Sequence, residues 1–206
     1  MVRIITCSLG MVLLLCGLLV PPASFGVTID FESVPDLTGA GVVVDTQFQA
    51  QGVLFTNTVA LTEGISLGDD FLPPKSGSTV VSDDMGPMIL TFSVPFLDVG
   101  GFFTYAISLT LSAFDPSGSP IGLPVTSTFS DNTALSGNLP NEFLHITGVG
   151  PIGSLRIEGD PAGASFTLDN FSATAAVPEP STILLLGGAL AGLIGYRVRQ
   201  SRRLTR

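Results

Sequence analysis

Three carboxylates lie near the two ends of the central part of the chain: Asp30 and Glu32 close to its start, and Asp169 close to its end. Each belongs to a short run in which apolar and polar residues alternate, which predicts a β-strand. The first and last strands of an antiparallel sandwich often lie side by side, which would bring Asp169 near Asp30 or Glu32. Because calcium binds about six to eight carboxylate and carbonyl oxygens, this set predicts a calcium site. The alternative is that the carboxylates are solvated or bonded to turn amides.

The remaining polar residues do not indicate catalysis. Two acidic pairs, Asp69-Asp70 and Asp83-Asp84, lie in segments rich in Gly, Pro and Ser. They are typical of solvated loops, although such pairs also bind calcium or sugar hydroxyls. The single histidine, His145, has no Cys or nucleophile motif to act with, so we interpret it as structural. A glycosidase needs two carboxylates, but no pair is singled out here, and we predict that the protein is not an enzyme.

The body that must position these residues spans 27–176 and has the two-residue period of β-strands. Apolar and polar side chains alternate at 88–94, 107–113, 155–158 and 166–169. About ten such short runs, separated by Gly and Pro and without a sustained helical pattern, predict an all-β fold. We expect a single antiparallel β-sandwich of the jelly-roll type.

The aromatic residues of the body indicate a core role. Thirteen of the 14 phenylalanines fall within it, and they supply enough apolar surface for a two-layered core. Its one tyrosine, Tyr105, is interpreted as a core residue rather than a sugar-stacking one. The chain has no Trp, which weakens the case for a strong aromatic sugar platform.

The charge of the body restricts its partners. The 206-residue chain has a formal charge of −9, but residues 27–176 hold only Lys75 and Arg156 against 16 acids, a charge of −14. This excess argues against nucleic-acid binding, which requires a basic face. It also predicts repulsion of anionic polymers unless divalent cations bridge them.

The N-terminal segment, residues 1–26, has the pattern of a secretory signal peptide. Arg3 precedes an apolar run over 4–20, and the small residues Ser24 and Gly26 then mark a cleavage site before Val27. The alternative is an uncleaved N-terminal anchor. Both cysteines of the chain lie in this segment, so cleavage would leave a mature protein without thiols.

The C-terminal segment, residues 177–206, has three parts. The first is the Pro178-Glu179-Pro180 motif, and the second is an apolar stretch over 182–198. A helix over this stretch and its flank reaches about 27 Å at 1.5 Å per residue, just enough to cross a bilayer core. The third part is basic and predicts a cytoplasmic end by the positive-inside rule. Its arginines are Arg197, Arg199, Arg202, Arg203 and Arg206.

This tripartite ending resembles the PEP-CTERM sorting signal in all three parts and in their order. The resemblance implies recognition by exosortase, a membrane-embedded protease of Gram-negative bacteria. It also implies export across the inner membrane, transient anchoring by the C-terminal helix, and sorting to the cell surface or extracellular matrix. The usual context of the signal is exopolysaccharide and biofilm.

The body is similar, more loosely, to the lectin-like and galactose-binding-like jelly rolls. The similarity is carried by short motifs such as Ile29-Asp30-Phe31-Glu32 and Leu168-Asp169-Asn170-Phe171. Lectin-like jelly rolls often hold a structural calcium in about this place, so the resemblance implies the same calcium ligands, Asp30, Glu32 and Asp169.

These observations predict a secreted, non-catalytic protein that binds or organises extracellular polysaccharide. The first alternative is a structural or adhesive matrix protein, including an ice-binding type, without a specific small ligand. The second alternative is a glycan hydrolase. Polysaccharide binding distinguishes the prediction from the first alternative, and turnover of the polysaccharide distinguishes it from the second.

Overall fold

The computed structural model describes residues 26–175, and nearly all of their regular structure is β-strand. Two single 3-10 turns occur at Gln49–Gln51 and Asp69–Phe71. The predicted sorting segment lies outside the described residues, as does the predicted signal peptide except for Gly26. The strands are β1 (Gly26–Ile29), β2 (Val42–Val43), β3 (Val53–Thr56), β4 (Thr58–Thr62), β5 (Thr79–Asp84), β6 (Met88–Tyr105), β7 (Thr110–Phe114), β8 (Pro120–Thr126), β9 (Glu142–Glu158) and β10 (Gly163–Ala175).

These ten strands form one continuous antiparallel sheet. Its order is β2-β4-β5-β10-β6-β9-β7-β8, with β1 added beside β10 and β3 added beside β6. The first and last strands are neighbours, as expected, with Ile29 opposite Phe171. The prediction of an all-β antiparallel fold is therefore confirmed.

The expectation of uniformly short strands is wrong for β6, β9 and β10, which have 18, 17 and 13 residues. The pairing of β6 with β9 shifts register between Thr91 and Asp98. Such a bulge reverses the side-chain alternation, and the buried positions of β6 change from even to odd numbers. The change lies between Phe96, which is fully buried, and Val99, and Val94 before it is 49% exposed. The buried apolar residues at even-numbered positions before the change are Met88, Leu90, Phe92 and Phe96, and those at odd-numbered positions after it are Val99, Phe103 and Tyr105.

Buried side chains from both halves of the sheet form a single core, so the sheet folds over into a β-sandwich. At one end Phe31, Phe48 and Phe55 pack edge to face, with ring centroids 5.5–5.8 Å apart. Burying each ring contributes roughly 1.5–3 kcal/mol. Eight of the body's phenylalanines are buried, which agrees with the core role predicted for most of them.

Within residues 26–175, the model contains no helix of the length and apolarity needed to cross a membrane. The predicted helix over 182–198 lies outside the described residues.

Candidate functional site

Three neighbouring strands place side chains side by side on the outer face of the sheet. Phe143 on β9 is directly opposite Phe102 on β6, and Phe102 is directly opposite Asp169 on β10. The residues next to them on each strand, such as Phe103 and Leu144, are buried in the core. Because side chains alternate along a strand, Phe102, Phe143 and Asp169 point away from that core.

Three aromatic rings follow one another on this face, and we call Phe102, Phe143 and His145 the aromatic row. The Phe102 and Phe143 centroids are 5.0 Å apart, and those of Phe143 and His145 are 5.2 Å apart in a stacked arrangement. Phe143 is 46% exposed, His145 is exposed, and Phe102 is half-buried. The row therefore presents a continuous aromatic surface to solvent.

A glycine allows the close approach of β6 and β9 beside the aromatic row. Gly100 lies opposite His145 in the pairing of β6 with β9. A Cβ atom added to Gly100 would meet the His145 Cβ at 2.5 Å and the Leu144 carbonyl oxygen at 2.6 Å. Any other residue at this position would therefore displace the strand that carries His145.

A loop over residues 72–78 covers the Asp169 end of this face. Asp169 is only 2% exposed, and its Oδ2 accepts a hydrogen bond from the Ser76 N–H at 2.9 Å. Its Oδ1 accepts one from the Asn170 N–H at 2.6 Å. Burial raises the pKa of Asp169, and the nearby charge of Glu32 raises it further. Asn170 has a φ of 47° within β10, where the register shifts, and left-handed backbone of this kind is tolerated well by Asn.

Glu32 holds the other end of the same loop. Its Oε1 accepts hydrogen bonds from the Ser78 N–H at 3.0 Å and the Thr79 N–H at 2.7 Å. Gly77, directly before these partners, has a φ of 57°, and a Cβ there would collide with the Glu32 carboxylate. The Asn141 side chain adds a third attachment by donating to the Pro73 carbonyl oxygen at 2.9 Å. The loop is thus fixed from β10, from the segment that follows β1 and from the residue that precedes β9.

The loop carries Lys75 over the aromatic row. The Lys75 Nζ lies 4.2 Å from the centroid of the Phe102 ring, a distance typical of a cation–π contact. Among residues 26–175, no carboxylate lies within 4.0 Å of this ammonium, whereas Arg156 is paired with Glu158 at 2.8 Å. The row therefore ends at a cation without an ion-pair partner in the described part of the chain.

The three residues predicted to bind calcium are only partly brought together. Glu32 and Asp169 both bond to the 72–79 segment, as described above. Asp30 is exposed, and its Oδ1 accepts the Glu32 N–H at 3.3 Å. Across residues 26–175, no three or more His, Cys, Asp or Glu side chains gather in a way that could hold a metal ion. The three carboxylates accept backbone N–H groups, which is the alternative set out above, and calcium at these residues stays a prediction.

The two acidic pairs have different environments. Asp69 and Asp70 are exposed, as expected. The expectation of a solvated loop is wrong for Asp83, which lies within β5 and is only 1% exposed. Its carboxylate accepts hydrogen bonds from the Ser165 N–H at 2.9 Å and the Phe166 N–H at 3.2 Å. Burial raises the pKa of Asp83.

Sequence reasoning missed one buried carboxylate, Asp36. Its Oδ1 accepts hydrogen bonds from the Thr38 N–H at 2.8 Å and the Gly39 N–H at 3.2 Å, and its Oδ2 accepts one from the Gly41 N–H at 2.9 Å. These bonds, the Thr38 amide first, lower the pKa of Asp36. An Asp with Thr two residues and Gly three residues further on, as in Asp36-Leu37-Thr38-Gly39, is a turn signal, which would have indicated this role.

Tyr105 is fully buried, in agreement with its predicted core role. Its hydroxyl donates a hydrogen bond to Glu142. Burial, followed by this bond, raises the pKa of Tyr105 to about 12. Tyr105 thus holds the start of β9, the strand that carries Phe143 and His145.

Comparison with known families gives one match, and it falls on the C-terminal segment. Residues 176–203 match the model of the PEP-CTERM protein-sorting motif. The prediction made from the Pro-Glu-Pro motif, apolar stretch and arginines is therefore confirmed: the chain carries a PEP-CTERM sorting signal behind an all-β body. A comparison with curated proteins finds no significant match.

Solved structures similar to the chain have different functions. The K1 cleaved adhesin domain of Lys-gingipain from Porphyromonas gingivalis W83 is 11% identical, with a TM-score of 0.41 over 74% of this chain and 99% of that one. The isomalto-dextranase of Arthrobacter globiformis T6, complexed with panose, is 14% identical, with a TM-score of 0.36 over 74% and 33%. A family 11 carbohydrate-binding module of Clostridium thermocellum is 14% identical, with a TM-score of 0.31 over 78% and 99%.

Proposed function

We propose that the chain is exported, processed by exosortase at its C-terminal signal, and sorted to the cell surface. The match of residues 176–203 to the sorting motif supports this proposal. The predicted signal peptide over 1–26 supplies the export step, and the predicted helix over 182–198 holds the chain in the membrane until processing. The Pro178-Glu179-Pro180 motif is the segment that the membrane protease recognises in this proposal.

We further propose that the body is a non-catalytic polysaccharide-binding domain. The observation that carries this proposal is the exposed aromatic row of Phe102, Phe143 and His145 on the outer face of the sheet. The apolar C–H faces of sugar rings pack against aromatic rings, and a few polar groups beside them fix orientation. The core is complete without Phe143 and His145, so their exposure is not explained by packing.

An adhesive matrix protein without a specific ligand is the second candidate. It is favoured by large apolar side chains that lie far out in solvent, among them Leu123 at 85% and Leu135 at 87% exposed. A contiguous apolar patch on a protein surface marks an association site, and this candidate requires that these side chains contribute to one. If this candidate were correct, the protein would associate with other proteins and would bind no polysaccharide.

Two measurements on polysaccharide from the producing cells distinguish these functions. The exported protein is mixed with the polysaccharide, and the bound fraction and the release of reducing ends are both followed. We expect saturable binding without new reducing ends. Binding with steady release of reducing ends would indicate a glycan hydrolase, and absence of binding would favour the matrix protein.

A further inference from the structure

We propose that the ligand of the aromatic row is a neutral polysaccharide, packed on Phe143 and His145, whose hydroxyls accept hydrogen bonds from the Lys75 ammonium. This inference rests on the proposed function and names its site and its class of ligand. It is carried by three observations: the exposure of the rings, the position of Lys75, and the charge of the surrounding surface.

The three rings of the aromatic row have different roles. The Lys75 Nζ lies 4.2 Å from the Phe102 centroid, so one face of that ring is already occupied by a cation. Phe143 and His145, which are the two exposed members of the row, remain for contact with sugar rings. Their centroids lie 5.2 Å apart, so both rings can contact the same part of a sugar chain.

Lys75 is held in place to act as a donor. Its loop is fixed by Asp169 through the Ser76 N–H and by Glu32 through the Ser78 and Thr79 N–H groups. An ammonium has three N–H donors and no acceptor. Since no carboxylate of residues 26–175 forms an ion pair with it, these donors can be directed to hydroxyl oxygens beside the row.

The charge of the body selects against acidic polysaccharides. Residues 27–176 carry −14, and Asp98 lies on β6 opposite Thr147, two residues beyond His145. A polyuronate has a negative charge on every sugar, so its repulsion by this surface accumulates along the chain. A single ammonium does not offset that repulsion, whereas a neutral chain meets none.

The test compares glycans of two charge classes, using the exported full-length protein. Neutral probes are hydroxyethylcellulose, galactomannan and dextran, and the carboxylated probe is polygalacturonate, with and without calcium. Affinity is measured from retardation in native gels that contain each glycan. We expect retardation by at least one neutral probe, and retardation by polygalacturonate only when calcium is present.

Single substitutions then locate the site. We expect Phe143→Ala to weaken the retarding interaction about tenfold and Lys75→Met to weaken it about fivefold. His145→Ala is a second test of ring contact that does not involve the half-buried Phe102. Leu123→Ala, which removes an even more exposed apolar side chain from β8, is the matched control and should leave the affinity unchanged.

The outcomes separate this inference from the proposed function. Tighter binding of calcium-free polygalacturonate than of neutral glycans would overturn the inference. Binding of neutral glycans that Phe143→Ala and Lys75→Met leave unchanged would also overturn it. In both cases the proposed function, polysaccharide binding, would still stand. If none of the probes and no polysaccharide of the producing cells bound, both the inference and the proposed function would be wrong.

Discussion

At the scale of single residues, the body places carboxylates in its interior and satisfies them with backbone amides. Asp36, Asp83 and Asp169 are all buried, and each accepts at least two hydrogen bonds from backbone N–H groups. A buried acceptor stabilises the fold only while its partners are present, because unpaired buried groups cost free energy. The hydrogen bonds of these carboxylates therefore hold loops and strands in place.

Asp83 gives a pH-dependent prediction. Burial raises the folded-state pKa of Asp83 above the ordinary value of 3.8. Its contribution to stability is therefore fullest below that pH and is lost as pH rises through the folded-state pKa. We expect the difference in unfolding free energy between the wild type and Asp83→Asn to fall as pH rises from about 4 to 7. Chemical unfolding at a series of pH values measures it, with the exposed neighbour Asp84→Asn as control. A difference that rises with pH would contradict the assignment.

The calcium prediction for Asp30, Glu32 and Asp169 also has a direct test. A bound ion that is absent from the unfolded state raises the stability of the fold. If calcium is present, EDTA should lower the melting temperature of the exported protein, and added calcium should restore it. An unchanged melting temperature would contradict the calcium prediction and would leave backbone amides as the partners of these carboxylates.

At the scale of elements, the period of the sequence predicted strands well but not their continuity. The run at 88–94 was expected as a short strand of its own, yet β6 continues from it to Tyr105. A bulge keeps such a strand hydrogen-bonded while it changes faces, and no local pattern marks whether two runs are joined by a bulge or by a turn. Conversely, residues 53–62 are divided into β3 and β4 at Asn57, which has a φ of 55°.

The 72–78 loop gives a prediction about its attachment to Glu32. Gly77→Ala combines a left-handed backbone with a clash against the Glu32 carboxylate, whereas Gly118→Ala, at φ 85°, has nothing within 4 Å. We expect Gly118→Ala to cost about 1 kcal/mol from backbone conformation alone, and Gly77→Ala to cost about 1–2 kcal/mol more. Urea unfolding midpoints measure both costs. Equal costs would show that Glu32 does not hold the loop as described.

At the scale of the whole molecule, the chain is divided into segments of different composition. The body carries −14, while the C-terminal segment holds five of the eight basic residues. A sorting signal is a local pattern of motif, apolar stretch and charge, so it could be identified from the sequence without knowledge of the fold. The aromatic row could not be identified in this way. Phe143 and His145 lie about 40 residues after Phe102 in the chain and meet it only through the pairing of β9 with β6. His145 was accordingly interpreted as structural, although its ring is exposed beside Phe143.

Processing at the sorting signal predicts the mass of the mature protein. Protein recovered from the cell surface is expected to lack residues 1–26 and the arginine-rich end that includes Arg197 and Arg206. Intact mass spectrometry measures this directly. A surface species that retains Arg197–Arg206 would contradict processing by exosortase, and deletion of Pro178-Glu179-Pro180 should cause such a species to accumulate in the membrane.

The central claim is that the acidic β-sandwich binds extracellular polysaccharide through its aromatic row. The most direct measurement is equilibrium binding of the exported protein to polysaccharide from its own producing cells, compared between the wild type and the double variant Phe143→Ala/His145→Ala. We predict saturable binding by the wild type, and binding weakened at least about tenfold by the double variant, with circular dichroism of the two unchanged. Equal binding by both proteins, or absence of binding by the wild type, would contradict the claim.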